Sequence, residues 1–376
     1  MRYHIVAAAA LIVAGAAPAL SEPIRIGAVY PMTGPVAFDG ETLLRGARIA
    51  IDEVNAAGGV LGRQLELVVE DGACVPAQSV SAAEKLASAT KVSALVGAFC
   101  SSSTGAVMEV AARYKVPLVA GISTAPDITE RGNEFIFRIP ATSAMLSTAF
   151  ADPMVNIAGG KNFSFLVVND DWGRSIVDSY SKALQAKGAT IVDTQIYTTS
   201  ESDLFPYITN IKRQEPDGLV LAGNTQNAAA LTEQIRQLGI GSKLFGEGSF
   251  TAKPYYDLVG DQGDGIYGLM AYVHTSTGAK NVAFVEKYKA AYNDLPTTFA
   301  ASGYNEISVL AAAIAKAQSA EPAAIRAALL DVEVDGLSGK IRFTEKGQGY
   351  GFNVYLTINE GSTPVVEQET QISKPE

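Results

Sequence analysis

Thiols and imidazoles are nearly absent from this 376-residue sequence, which holds two cysteines and two histidines. Zinc centres draw their ligands mainly from those residue types, and a thiol nucleophile needs an imidazole beside it. Only His274 lies outside the N-terminal run, so no metal site, catalytic thiol or cofactor is expected. Basic residues are also in deficit: 29 Lys and Arg against 39 Asp and Glu, a formal charge of −10. Nucleic acids and anionic membrane surfaces require basic patches, so neither is an expected partner. No Gly-x-Ser-x-Gly elbow, phosphate-binding P-loop or metal-ligand cluster occurs, nor any low-complexity segment or solenoid repeat. The string Gly263-Asp264-Gly265-Ile266-Tyr267-Gly268 has the spacing of a dinucleotide fingerprint. It precedes an expected strand, however, whereas the fingerprint must follow one and open a helix. An enzyme is therefore the weaker class.

What is present begins with a leader. Met1-Arg2 is a basic start, Ile5–Ala17 an alanine-rich apolar run, and Ala17-Pro18-Ala19 and Ala19-Leu20-Ser21 offer small residues for cleavage. This reads as a secretory signal peptide over residues 1–21, cut near 19–22 and too short to span a bilayer. No cysteine follows to carry a lipid, and no second long apolar run appears. The expectation is an exported, soluble, periplasmic protein. Export places Cys74 and Cys100 in an oxidising compartment, and a disulfide between them is expected. Closing such a loop contributes about 3 kcal/mol by chain-entropy arguments. The remaining length suits two lobes, and a hydrophobic content of 48% is ample for two cores.

Short β-branched runs alternate with amphipathic stretches along the chain. Strands are expected at Ile24–Tyr30, Leu65–Val69, Ala94–Val96 and Val116–Ala120, then at Ser164–Val168, Ile191–Tyr197, Leu219–Ala222 and Gly265–Tyr272. Helical spacing between them marks Gly40–Asn55, Pro76–Thr90, Ser101–Tyr114, Ser143–Ile157, Ile176–Ala186, Tyr207–Gln214 and Asn227–Leu238. Helices Val282–Tyr292 and Ala301–Ala317 follow, and strands Leu337–Phe343 and Phe352–Ile358 close the series. Such alternation implies parallel sheets covered on both faces, and two series imply two α/β lobes with a cleft between them.

Two loops carry the chemistry. Cys100-Ser101-Ser102-Ser103-Thr104 stands where one strand hands over to a helix, and Gly121-Ile122-Ser123-Thr124-Ala125-Pro126 repeats the hydroxyl pattern after the next strand. Helix starts present unpaired N–H groups that bind carboxylates, and open α/β sheets keep ligands at the carboxyl ends of neighbouring strands. Serine and threonine are also ordinary N-caps, which is the competing reading of either loop alone.

At these residues the chain resembles a known family: exported solute-binding proteins of the branched-chain amino-acid type, which serve ATP-driven importers. The resemblance spans nearly the whole chain after the leader. It is carried in order by Gly34-Pro35-Val36-Ala37, Asp52–Gly59, Asp71-Gly72-Ala73-Cys74, Cys100–Thr104, Thr124-Ala125-Pro126, Asn169–Gly173, Gly246-Glu247-Gly248 and Tyr304. It implies two doubly wound parallel-sheet lobes joined by three crossover strands, the type I periplasmic-binding fold, closing on ligand like a flytrap. The crossovers would fall near Ala141, Tyr272 and Gln348. Lobe I would take residues 22–141 and 273–347, and lobe II residues 142–272 and 348–376. The implied partners are an amino acid, most simply an aliphatic one, and a membrane permease, with the protein itself a monomer; the alternative on the same fold is a polar or cationic amino acid, an amide or urea, or an aromatic acid.

The resemblance also implies a site. Ser101 and Thr124 would hold the ligand's α-carboxylate, while the Ile122 carbonyl, Thr124 and Glu247 would hold its ammonium. Ser123 completes that loop. Trp172 and Tyr304 match aromatic cleft positions, and Asn224 ends a strand on the same side. Glu247 alone would read as a solvated turn glutamate, and Trp172 equally as a core residue. One departure stands out: Asp39 occupies a position where the family commonly has an aromatic. Either Asp39 enters the pocket and favours a polar or cationic ligand end, or it caps the helix from Gly40 while Phe38 supplies the wall. The cap preference of aspartate favours the second.

Overall fold

The computed structural model describes residues 22–375; the leader assigned to 1–21 lies outside them. Strands buried on both faces dictate the architecture, because a continuous apolar run must be covered on both sides. In the first lobe β1 (Ile24–Tyr30), β2 (Leu65–Asp71), β3 (Ala94–Gly97), β4 (Leu118–Ala120) and β5 (Ile136–Arg138) form a wholly parallel sheet in the order β2-β1-β3-β4-β5.

The second lobe is built on β6 (Asn162–Val168), β7 (Thr190–Tyr197), β8 (Gly218–Gly223), β9 (Lys243–Gly248) and β10 (Tyr267–Met270), parallel in the order β7-β6-β8-β9-β10. Both orders reverse once, between β1 and β3 and between β6 and β8, and a ligand crevice opens at such a reversal. The C-terminal part adds β11 (Val334–Gly336), β12 (Gly339–Phe343), β13 (Gly349–Glu360) and β14 (Thr363–Gln371). β13 runs antiparallel to β10 and carries β12 and β14 on its flanks.

Ala141 follows β5, Tyr272 follows β10 and Gln348 precedes β13. The stretch 273–347 is not uniform. Helix Thr298–Ala317 packs on helix Ala37–Ala56 of the first lobe, whereas β11 and β12 are hydrogen-bonded, through β13, into the second sheet. The hydrogen-bonded sheet therefore does not break at 347.

The helix expected from Gly40 begins at Ala37. The turn at Thr33-Gly34-Pro35 brings the Gly34 carbonyl onto Ala37 N at 3.2 Å, and Gly40 N already donates to Val36 O at 3.0 Å. Asp39 is thus a first-turn residue and not the cap, a correction that changes what its carboxylate can reach. Gly260–Gly263 is a single 3-10 turn ahead of β10, so the glycine string opens no helix.

Candidate functional site

The carboxyl ends of the two sheets face each other across a cavity of about 400 Å³. The first lobe contributes Asp39, Phe99, Ser101, Ser102, residues 121–124 and Phe299; the second contributes Asp170, Trp172, Asn224, Glu247 and Met270. Three carboxyl groups line this space, and among the described residues no Lys, Arg or His does.

The anion-binding end is the start of helix Ser101–Tyr114. Cys100 occupies the cap position without a side-chain cap bond, and the first intrahelical bond runs from Thr104 N to Cys100 O at 2.9 Å. The N–H groups of Ser101, Ser102 and Ser103 thus have no acceptor within the helix. Ser101 Oγ accepts from Ala125 N at 3.4 Å, which leaves its proton free to donate. The expected disulfide joins Cys74 to Cys100 with Cα atoms 5.5 Å apart and ties this helix start to the loop after β2.

The second loop divides its hydroxyls between scaffold and cavity. Ser123 Oγ donates to Phe99 O at 2.8 Å and accepts from Thr104 Oγ1 at 2.7 Å, which in turn accepts from Ala98 N at 3.2 Å. That chain uses the Ser123 proton inside the first lobe, so its hydroxyl has none to donate to a ligand. Thr124 belongs to a chain that crosses between lobes. Ser175 Oγ donates to Trp172 O at 2.8 Å and lies 3.0 Å from Ser143 Oγ, which lies 3.1 Å from Thr124 Oγ1. Since a carbonyl can only accept, one consistent direction runs from Thr124 through Ser143 to Ser175, and the Thr124 oxygen keeps its lone pairs for a donor. Ile122 is half-buried beside it and its carbonyl accepts no protein hydrogen bond among the described residues.

Glu247 is no turn residue. It stands near the end of β9, between Ala222 of β8 and Leu269 of β10, and is 5% exposed. Its Oε2 has no hydrogen-bond partner, and burial pushes its pKa up to about 8. A buried carboxylate without a counter-charge is a costly group waiting for one. Trp172 is half-buried in the first turn of helix Asp171–Ala186, which Asp170 caps by accepting from Gly173 N at 2.8 Å. Trp172 both lines the cavity and packs on its own lobe, so the two readings of it coexist. Asn224 lines the cavity while its Oδ1 caps helix Thr225–Leu238 by accepting from Asn227 N at 3.0 Å.

Three expectations require correction. Phe38 is 42% exposed and does not line the cavity, because the earlier helix start turns it outward. Tyr304 is buried away from the cleft, donating to Glu53 Oε2 at 2.6 Å and packing at a tilt against Phe284 with ring centroids 4.9 Å apart. Asp39 enters the cavity wall at 2% exposure, accepting from Thr225 Oγ1 of the opposite lobe at 2.7 Å.

Sequence reasoning missed Glu306 entirely. From helix Thr298–Ala317 its carboxyl accepts from Gly121 N at 2.8 Å and from Tyr30 O–H at 2.6 Å, directly behind the Ile122–Thr124 loop. A Cβ at position 121 would lie 2.7 Å from Glu306 Oε1, so a side chain there would displace the Glu306 carboxyl from this close approach. No local signal marks a glutamate inside an otherwise apolar helical face as a loop support.

Residues 23–357 match the family model described as periplasmic binding protein. The chain belongs to that family. It is similar to the leucine-, isoleucine-, valine-, threonine- and alanine-binding protein of Pseudomonas aeruginosa, 28% identical with 89% of this chain and 90% of that protein covered. It is also similar to the Leu/Ile/Val-binding protein of Escherichia coli K12, 25% identical over 90% and 91% of the two chains. Among solved structures, the isoleucine complex of the branched-chain amino acid transporter substrate-binding protein LivJ from Streptococcus pneumoniae superimposes with a TM-score of 0.85. Its identity is 25%, with 94% of this chain and all of that chain covered. A benzoate complex of an ABC-transporter solute-binding protein from R. palustris shares the fold at a TM-score of 0.87 and 22% identity, covering 94% and 98% of the two chains. As a member of this family the chain is a solute-binding protein with the two-lobed α/β fold.

Proposed function

We propose that this protein is the exported, monomeric amino-acid receptor of an ABC importer, taking a small α-amino acid of aliphatic size and passing it to a membrane permease. On this reading residues 1–21 are removed on export, and the ligand leaves as it entered, chemically unchanged. The carboxylate rests on the Ser101 hydroxyl and the free N–H groups of the helix start. The ammonium is met by Glu247, the Ile122 carbonyl and Thr124 Oγ1. The wall between Phe99, Trp172, Met270 and Phe299 accepts the side chain.

The observation that carries this reading is the unpartnered, buried carboxylate of Glu247 opposite an unpaired helix start, with no basic side chain between them. A zwitterion complements both ends. A carboxylate ligand lacking an ammonium would leave Glu247 unpaired in a closed cleft. Because Glu247 belongs to the second lobe and the other polar contacts to the first, only the closed form makes them all, and ligand shifts the population towards it.

The test is calorimetric titration of unfolded-and-refolded, ligand-free protein with leucine, isoleucine, valine and alanine, repeated with Glu247→Gln. Micromolar binding by the native protein, with at least a hundredfold loss in the variant, is the expected result. Undiminished affinity in the variant removes Glu247 from the site and the reading with it.

A further inference from the structure

We propose that Asp39 is a specificity-determining residue: it makes the side-chain end of the cavity a donor-recognising subsite, so that amino acids bearing a side-chain hydrogen-bond donor bind more tightly than their apolar isosteres. The inference rests on the amino-acid reading above and narrows the substrate class within it.

The geometry argues for it in three steps. Asp39 stands in the first turn of helix Ala37–Ala56, lines the same cavity as Glu247, and is nearly sealed from solvent. Its partners come only from the opposite lobe. Oδ1 accepts from the Thr225 hydroxyl at 2.7 Å, while Oδ2 has only the long contact to Thr225 N at 3.5 Å. An ionised carboxylate offers about four acceptor sites, so most of its capacity is unused. Finally, among the described residues no cationic side chain lines the cavity, and burial raises the Asp39 pKa to about 6 against the lowering effect of Thr225. Of the three carboxyl groups Asp170 is engaged as the cap of helix Asp171–Ala186, so the cavity offers one anion-binding end and two carboxyl groups, Asp39 and Glu247, from opposite lobes. An aliphatic zwitterion satisfies the helix start and Glu247 and leaves Asp39 against hydrocarbon. A ligand with a second donor satisfies all three, and a cationic donor does so with charge assistance.

Thr225 gives this recognition a place in the closure. Its hydroxyl orients the Asp39 carboxyl only when the lobes meet, so the side chain is read in the closed form, where an unmatched group has no water to fall back on. Discrimination between isosteres is largest under that condition, since the apolar ligand leaves a buried acceptor unpaired.

The test uses two isosteric pairs of different reach, threonine with valine and ornithine with norleucine, titrated into the native protein, Asp39→Asn and Asp39→Leu. In the native protein the donor-bearing member of at least one pair is expected to bind at least tenfold more tightly than its partner. Asp39→Asn keeps the volume and an acceptor for Thr225, and should erase most of the ornithine advantage. Asp39→Leu should invert the order. Equal or tighter binding of valine and norleucine by the native protein overturns the proposal while the amino-acid reading stands, and that arm needs no variant to fold. A donor preference that survives Asp39→Leu also overturns it. Failure of all four to bind while leucine or alanine binds overturns this proposal alone; failure of every amino acid in both panels overturns both.

Discussion

Two buried glutamates on opposite sides of the cleft show how identical burial serves different ends. Glu247 and Glu306 are both pushed to about 8 by burial, but Glu306 is held by Gly121 N–H and the Tyr30 hydroxyl, whereas Glu247 Oε2 has no partner. The first is a support already satisfied; the second is the acceptor left open. Each carboxyl binds its proton more tightly folded than unfolded. The stability each contributes is therefore complete below about pH 4.5, the ordinary value, and is lost as pH rises towards about 8. Ligand-free protein should melt at progressively lower temperature between those values. Glu306→Gln should flatten part of that slope, raising the melting temperature at pH 8 and leaving it nearly unchanged at pH 4.5. Thermal denaturation followed at both pH values checks this, and an unaltered slope would mean the Glu306 carboxyl is not the titrating group.

At the scale of elements, the cleft depends on how closely helices Ala37–Ala56 and Thr298–Ala317 approach, since they carry Asp39, Phe299 and Glu306. That approach runs through small residues. A Cβ at Gly303 would overlap the Leu43 carbonyl, and nothing but backbone stands there to yield. Gly105, inside helix Ser101–Tyr114, offers the contrast, because its Cβ would meet only the tip of Arg131 at 3.8 Å. Alanine is intrinsically the better helix former by about 0.5–1 kcal/mol. Gly105→Ala should accordingly stabilise by that amount, while Gly303→Ala should destabilise despite the same propensity gain. Chemical denaturation of the two variants checks the pair. The helix spacing was legible from the apolar positions at Leu43, Leu44, Ala47 and Ile51, but periodicity reports which face is buried and not how near the neighbour lies.

For the whole molecule the controlling feature is the junction between lobes. Arg138, at the end of β5, is fully buried with no carboxylate bonded to it, and burial draws its pKa down to about 9. Its guanidinium donates to Gln348 Oε1 at 2.6 and 2.8 Å, to the Ala125 carbonyl and to Thr129 Oγ1. Gln348 Nε2 returns to the Pro140 and Gly349 carbonyls, each at 2.9 Å. One glutamine thus ties the end of β5 and the start of β13 to the loop that follows Thr124. Gln348→Ala would leave a buried cation short of acceptors, a loss of about 2 kcal/mol or more. It should lower the melting temperature and enlarge the radius of gyration of the ligand-free protein in small-angle scattering. An unchanged radius would show that the junction does not restrain opening.

Local order along the chain was enough to determine the two α/β series and the hydroxyl loops at Ser101 and Thr124, and cysteine count with the expected export determined the disulfide pair. Hydrophobic period, glycine stops and hydroxyls at strand ends are signals carried within a few residues of the structure they dictate. β5 and β9 escaped that reading, because three residues are too few for a period and Gly246 and Gly248 disguise a strand as a turn. The fate of single polar side chains was decided only when distant segments packed together. Ser123 turned into the scaffold, Tyr304 to Glu53, Asp39 across the cleft to Thr225, and Glu306 under the Gly121 loop. Each of those contacts joins residues far apart in sequence, and the partner of a buried polar group is set by what the tertiary fold brings within about 3 Å of it.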